Sequence, residues 1–227
     1  MNNSAVAVGF WSSLVAAASM VIFTGCFIAI ILTQEPVIWT DLESYLEQTS
    51  GNNPIFKYIA QASMLVFGMA YVVMLHSIHA MVFTGRKIYS RIGISFGTMF
   101  AVLIGINYFL QITFVRFNVD AGWKEGLANW IMFNPDSVIL SIGMLGWTVM
   151  FALSSLFVSR VFQARGRDRT IRNLFVLNGL FCFLGGIGFI LQSDLLINLG
   201  INLGMGGVMT VLTIFLTRHF HQEKKYL

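Results

Sequence analysis

The chain reads as an all-α membrane protein, a bundle of six transmembrane helices. Three observations predict that class. Six long apolar stretches cover most of the 227 positions, and a bilayer core of about 30 Å takes about 20 residues of helix to cross. Hydrophobic residues make up 56% of the chain and charged residues 11%, whereas a soluble domain carries about 25% charged residues. The basic residues also alternate between the connections, crowding one side and sparing the other. A soluble α/β protein would show apolar runs of only about four to eight residues.

The predicted spans are 10–33, 57–83, 92–115, 138–160, 173–192 and 195–217, and the whole chain, 1–227, is one transmembrane domain. The segment Met1–Phe10 carries no positive charge. The first span runs into Thr33, Gln34, Glu35 and Pro36 and not into a small-residue cleavage site, so it is read as a retained span. Gly51–Asn53 and Gly122–Pro135 interrupt the apolar pattern clearly. The break at Gln192, Ser193 and Asp194 is short, but an unbroken helix over 173–217 would overshoot a bilayer, so a tight hairpin is predicted there.

Loop charge sets the orientation. The side holding the N-terminus carries Arg86, Lys87, Arg91, Arg160, Arg165, Arg167, Arg169, Arg172, Arg218, Lys224 and Lys225, which is 11 of the 14 basic residues. The other side holds Lys57, Arg116 and Lys124 together with eight of the ten acidic residues. The basic side is predicted to be cytoplasmic, with both termini on it, a parity that six spans satisfy. Basic residues confined to such short connections do not form a nucleic-acid surface.

Two outer segments are predicted to form short interfacial amphipathic helices. In loop 34–56, Thr40 is the expected N-cap with Glu43 completing a capping box, and Ile38, Leu42, Tyr45 and Leu46 share a face. In loop 116–135, Trp123, Leu127, Trp130 and Ile131 share one, with tryptophans suited to the headgroup level.

A weak internal repeat is also visible. Shifted by 81 residues, 53–111 aligns with 134–192 at 13 identities and without a gap. Asn53-Pro54 falls on Asn134-Pro135, Gly85-Arg86 on Gly166-Arg167, Arg91 on Arg172 and Gln111 on Gln192. Each unit reads as an outer turn, a span, a Gly-Arg turn and a second span. A two-span unit is even, so its copies would be parallel, an arrangement in which transporters place binding sites between the copies.

Few polar groups fall at membrane depth, where ionisable residues mark function. No lysine and no carboxylate lies near the centre of a span, which argues against a retinal Schiff base and a carboxylate-driven proton pump. Cys26 and Cys182 read as small core residues. Ser154 and Ser155 lack a nucleophile-elbow context. No catalytic motif emerges, and the reading leans away from an enzyme. Asn107, Gln111, Arg116, Asp136, Gln192 and Asp194 form a candidate ligand-binding cluster at the outer mouth of the bundle. His76 and His79, at i and i+3, are candidate ligands for a metal or haem iron, with His219 and His221 on the same side of the membrane.

Glycines crowd the fifth span (Gly185, Gly186, Gly188) and the sixth (Gly200, Gly204, Gly206, Gly207), so these two should cross closely or offer a face to a second copy or another membrane protein. The leading expectation is a protein that binds or transports a small solute or lipid between the hairpins. The alternatives are a haem- or metal-binding redox protein or enzyme built on His76 and His79, and an accessory or assembly subunit of a membrane complex. Short loops and compact length point to a bacterial inner membrane.

Overall fold

The structure, a computed structural model, describes residues 3–225; Met1, Asn2, Tyr226 and Leu227 lie outside the described residues. It is helical, with no strand among the described residues. Among the described residues six helices are long and apolar enough to cross a membrane: Asn3–Thr33, Ile55–Met81, Thr84–Asp120, Val138–Ser159, Gly166–Ile190 and Asp194–Lys224. They are called the first to sixth spans below. The first begins and the sixth finishes at one end of the bundle, the terminal end. Segments 34–54, 121–137 and 191–193 lie at the other, the loop end.

Several helices outrun their apolar stretches. The fifth starts at Gly166 and carries Arg167, Arg169 and Arg172 on its first turns, and the sixth continues through Arg218. Hydropathy marks where lipid stops, but backbone hydrogen bonding continues until a cap intervenes. Before the fifth span, Asp168 accepts a hydrogen bond from the Gln163 backbone N–H at 3.1 Å, a carboxylate placed at the positive end of a helix dipole.

Each span packs on its neighbours in sequence, and the first closes the ring against the sixth. That closure is uneven. The first span packs on the Met209–Lys225 portion of the sixth, whereas Leu199–Val208 packs chiefly on the fifth. The bundle is therefore tight at the terminal end and parted at the loop end.

The tight half is built around stacked rings. Phe67, Tyr71, Phe100, Trp147 and Phe151 are buried together, with Phe100 and Phe151 stacked at 4.4 Å and Tyr71 edge-on to Phe151 at 5.1 Å. Hydroxyls tie four spans across this core. Tyr71 and Ser154 share a hydrogen bond of 3.0 Å, the Ser154 hydroxyl donates to the Gly93 carbonyl at 2.8 Å, and Asn178 donates to Ser155 Oγ at 2.8 Å. Ser154 and Ser155 are thus helix–helix glue. Gly93 and Gly97 make room for it: a Cβ at Gly93 would meet Val158, and one at Gly97 would meet Leu75 and Ser154 Oγ.

The fifth and sixth spans cross as closely as their glycines predict. A Cβ on Gly200 would overlap the Gly185 backbone, and one on Gly188 would lie 2.7 Å from the Ile197 nitrogen. Gly185, Gly188, Gly200 and Gly204 are thus occupied within the chain.

Two local expectations change. The helix Leu42–Ser50 is capped by Asp41, not Thr40; the Asp41 carboxylate accepts from the Ser44 N–H at 2.8 Å. A carboxylate satisfies that amide more strongly than a hydroxyl, so the start shifts by one residue. The second loop segment forms only a 3₁₀ turn, Leu127–Trp130. Gly122 and Gly126 both take positive φ, 72° and 70°, which breaks any helix before it lengthens. Leu127 and Ile131 are buried with Tyr45 and Val115, while Trp123 and Trp130 face outward.

Candidate functional site

The parted half encloses a cavity of about 930 Å³. The first span contributes Met20 to Ile28 on one side. The sixth contributes Ile201, Asn202, Met205, Gly206, Gly207, Thr210 and Val211 on the other. Met64, Asn107, Tyr108, Met144 and Trp147 form its back, and Met132 reaches it from the loop. Such a volume lies in the range of small-molecule sites, which are mostly apolar with a few placed polar groups. None of the lining residues is Asp, Glu, Lys, Arg or His. Five are methionines, unbranched and polarisable side chains that adapt to irregular apolar ligands.

Val21, Thr24, Gly25, Phe27 and Ile28 line the cavity and are also exposed. The cavity therefore communicates with the lateral surface of the bundle, between the first and sixth spans. A Cβ on Gly25 would meet nothing within 4 Å, so the opening at this point is free of packing.

Among the described residues three π-helical stretches occur: Gln111–Val115, Leu145–Met150 and Leu199–Val208. The last two carry cavity residues. A π turn holds one more residue than an α turn, which widens the backbone, and such turns are frequently found at functional sites. The Leu199–Val208 stretch contains four of the sixth span's glycines. A Cβ at Gly206 would find only the Ile201 carbonyl, at 3.7 Å, so this wall presents backbone to the cavity.

Asn107 sits on the back wall. Its Nδ2 donates to the Ile139 carbonyl at 3.1 Å, and its Oδ1, also buried, has no partner among the described residues. The close approach depends on Gly143, where a Cβ would overlap the Asn107 amide. This contact joins the third span to the fourth.

The other residues of the predicted outer cluster are dispersed. Gln111 is buried and fully bonded. Its Nε2 donates to the Trp130 carbonyl at 2.6 Å and its Oε1 accepts from the Met132 N–H at 3.2 Å. Gln111 latches the loop rather than facing the cavity. Arg116 pairs with Asp120 at 3.8 Å and lies over the Tyr58 and Phe117 rings. Asp136 is exposed beside an Asx turn in which its N–H donates to Asn134 Oδ1 at 3.0 Å. Ile55 makes the same 3.0 Å bond to Asn53, so the two Asn-Pro marks of the repeat share a turn. Gln192 is exposed with φ 54°, and Asp194 begins the sixth span, also exposed. Only Asn107 of this set lines the cavity.

The histidines lie at the terminal end, away from the cavity. His79 Nδ1 is hydrogen-bonded to Ser90 Oγ at 2.7 Å, His76 is exposed, His219 lies edge-on to Phe162, and His221 lies beside Phe10. Among the described residues no three His, Cys, Asp or Glu side chains gather as a metal site would require.

Sequence reasoning missed the cavity because its walls are ordinary span residues. The only signal was the glycine and methionine content of the sixth span near Gly204–Gly207. It also missed Gln61, a glutamine well inside the second span. Comparison with known proteins gives no matching family model, no matching curated protein and no matching solved structure.

Proposed function

We propose that the protein binds an apolar or amphipathic molecule of the lipid class in the loop-half cavity, and exchanges it with the bilayer between the first and sixth spans. One observation carries this reading: a methionine-lined cavity without a charged wall residue opens on the lateral surface of the bundle through exposed apolar residues of the first span. A water-soluble ionic solute would lose its hydration there with nothing to replace it. The parted first and sixth spans supply a route that does not pass through the packed terminal half. Transport in the strict sense would follow if the ligand leaves by a second route. The basic connections support a cytoplasmic terminal end in a bacterial inner membrane.

The test is native mass spectrometry of protein purified in mild detergent, with the wild type compared to Gly25→Leu and Gly206→Leu. Both positions line the cavity, and a Cβ at either meets no backbone at overlap distance. The expected result is a retained lipid-class mass in the wild type and its loss from both variants, with helicity and monodispersity unchanged. Equal retention in all three proteins would overturn the assignment.

A further inference from the structure

Gln61 is, among the described residues, the only buried side chain with two unpartnered polar atoms: neither Oε1 nor Nε2 has a hydrogen-bond partner. It is 3% exposed. A carboxamide held without partners in apolar surroundings is costly, and more so where hydrocarbon replaces water. Buried orphans of this kind call for an explanation.

Its depth follows from the packing of the second span on the third. A Cβ on Gly68 would meet Ile104 and Ala101, and one on Gly105 would meet Leu65. One turn further along this antiparallel pair, Gln61 lies at the depth of Tyr108 and Gln111. Met64, three residues away on the same helix, is a cavity wall, as are Asn107 and Tyr108. Residues three apart on a helix are about 5–6 Å apart, within the sweep of a glutamine side chain. Gln111 has both amide atoms committed to the loop. The buried amide atoms of this layer without a hydrogen-bond partner are therefore Gln61 Oε1, Gln61 Nε2 and Asn107 Oδ1.

We infer that this layer is the head-group subsite of the cavity, and that its ligand is a single-chain lipid with an uncharged head carrying both a hydroxyl and a carbonyl. The inference rests on the lipid-class reading of the cavity. A hydroxyl donates to Asn107 Oδ1, and a carbonyl accepts from Gln61 Nε2 after side-chain rotation. A carboxylate or phosphate head would find no cation in the cavity wall and would stay uncompensated.

Thermal unfolding of the full chain in mild detergent tests this with five probes of one chain length: 1-monoolein, oleyl alcohol, octadecene, oleate and lysophosphatidylglycerol. Monoolein should raise Tm most, oleyl alcohol less and octadecene less again, while the two anions give no rise. Gln61→Leu should raise the Tm of the unliganded protein by about 2–4 °C, because the orphaned amide is gone. It should also weaken monoolein about tenfold and leave octadecene unchanged. Gln61→Met, which keeps length and flexibility, should behave alike.

If no probe shifts Tm, the cavity reading falls and takes this inference with it. Octadecene equalling monoolein, or the anions exceeding it, would leave the cavity reading standing and overturn the head-group subsite. A lowered Tm in both Gln61 variants with the monoolein shift intact would assign Gln61 a structural role and overturn it too. The wild-type probe series decides the matter even if neither variant folds.

Discussion

The terminal half and the loop half of this bundle use the same materials to opposite ends. In the terminal half, glycines at 93 and 97 bring backbones together, hydroxyls cross between spans, and five aromatic rings fill the centre. In the loop half, the sixth span carries as many glycines, but Gly206 and Gly207 face a cavity. Its backbone opens into a ten-residue π stretch over Leu199–Val208. Glycine therefore does not by itself mean close packing. Its meaning depends on what a Cβ would meet.

That contrast is sharpest within one helix, where the largest effect is expected. Gly200→Ala places a methyl against the Gly185 backbone and the Phe181 carbonyl, the latter at 2.6 Å. Neither backbone can yield by changing rotamer, so the cost should reach about 3 kcal/mol or more, lowering Tm by roughly 6 °C or more. Gly207→Ala meets only the Asn202 carbonyl, at 3.6 Å, and should stay within about 1 kcal/mol of wild type. Equal losses in thermal unfolding would show that the two faces of this stretch pack alike and that the cavity wall is not free.

The roof of the open half depends on Gln111. Replacing it with leucine leaves the Trp130 carbonyl and the Met132 N–H without their partner. The expected loss is about 1–3 kcal/mol, with hydrogen exchange quickening over 127–137 first. Exchange that rises equally in the terminal half would mean that the loop is not a separate unit.

How much of this was legible in the sequence follows the same division. Span number, and the close crossing of the fifth and sixth spans, follow from apolar length and glycine spacing, which are local properties. The hydroxyl network was not legible, because Tyr71, Ser154 and Gly93 meet only after three helices are placed. The predicted outer cluster gathered polar residues by depth alone. Depth is readable from a sequence, but the angular position around a closed ring is not. Asn107 reaches the cavity, whereas Gln111, one α turn on, is held by the loop through the Trp130 carbonyl and the Met132 N–H. Gln61 was passed over for a related reason. A lone glutamine in a span shows its burial only once the face it lies on is known.

Tyr71→Phe probes the closed half more gently. It removes the 3.0 Å bond to Ser154, whose hydroxyl keeps its bond to the Gly93 carbonyl. Cross-helix hydrogen bonds of this kind average about 0.6 kcal/mol, so Tm should fall by roughly 2 °C and ligand retention should not change. A change in retention would tie the closed half to the cavity and blur the division between them.

The smallest effect belongs to the short helix at the loop end. The Ser44 N–H holds the Asp41 carboxyl below its ordinary value, with the hydroxyls of Ser44 and Thr40 adding to it. A lowered pKa means that the cap favours the helix fully above the ordinary carboxylate range. That contribution is lost as pH falls through the lowered value. At neutral pH, Asp41→Ala should therefore reduce the helical carbon chemical shifts of Ser44 to Glu47. In acid the two proteins should converge, since protonation removes from the wild type what the substitution removes from the variant. The helix is held down from elsewhere by Lys124 on Glu43 at 2.9 Å, Lys57 on the Tyr45 hydroxyl at 3.0 Å and Tyr45 stacked on Phe133, so fraying should stop at its first turn. A difference that persists in acid would mean that Asp41 acts through its shape and not its charge. Fraying that spreads into 121–137 would join the two loops into one cover over the open half.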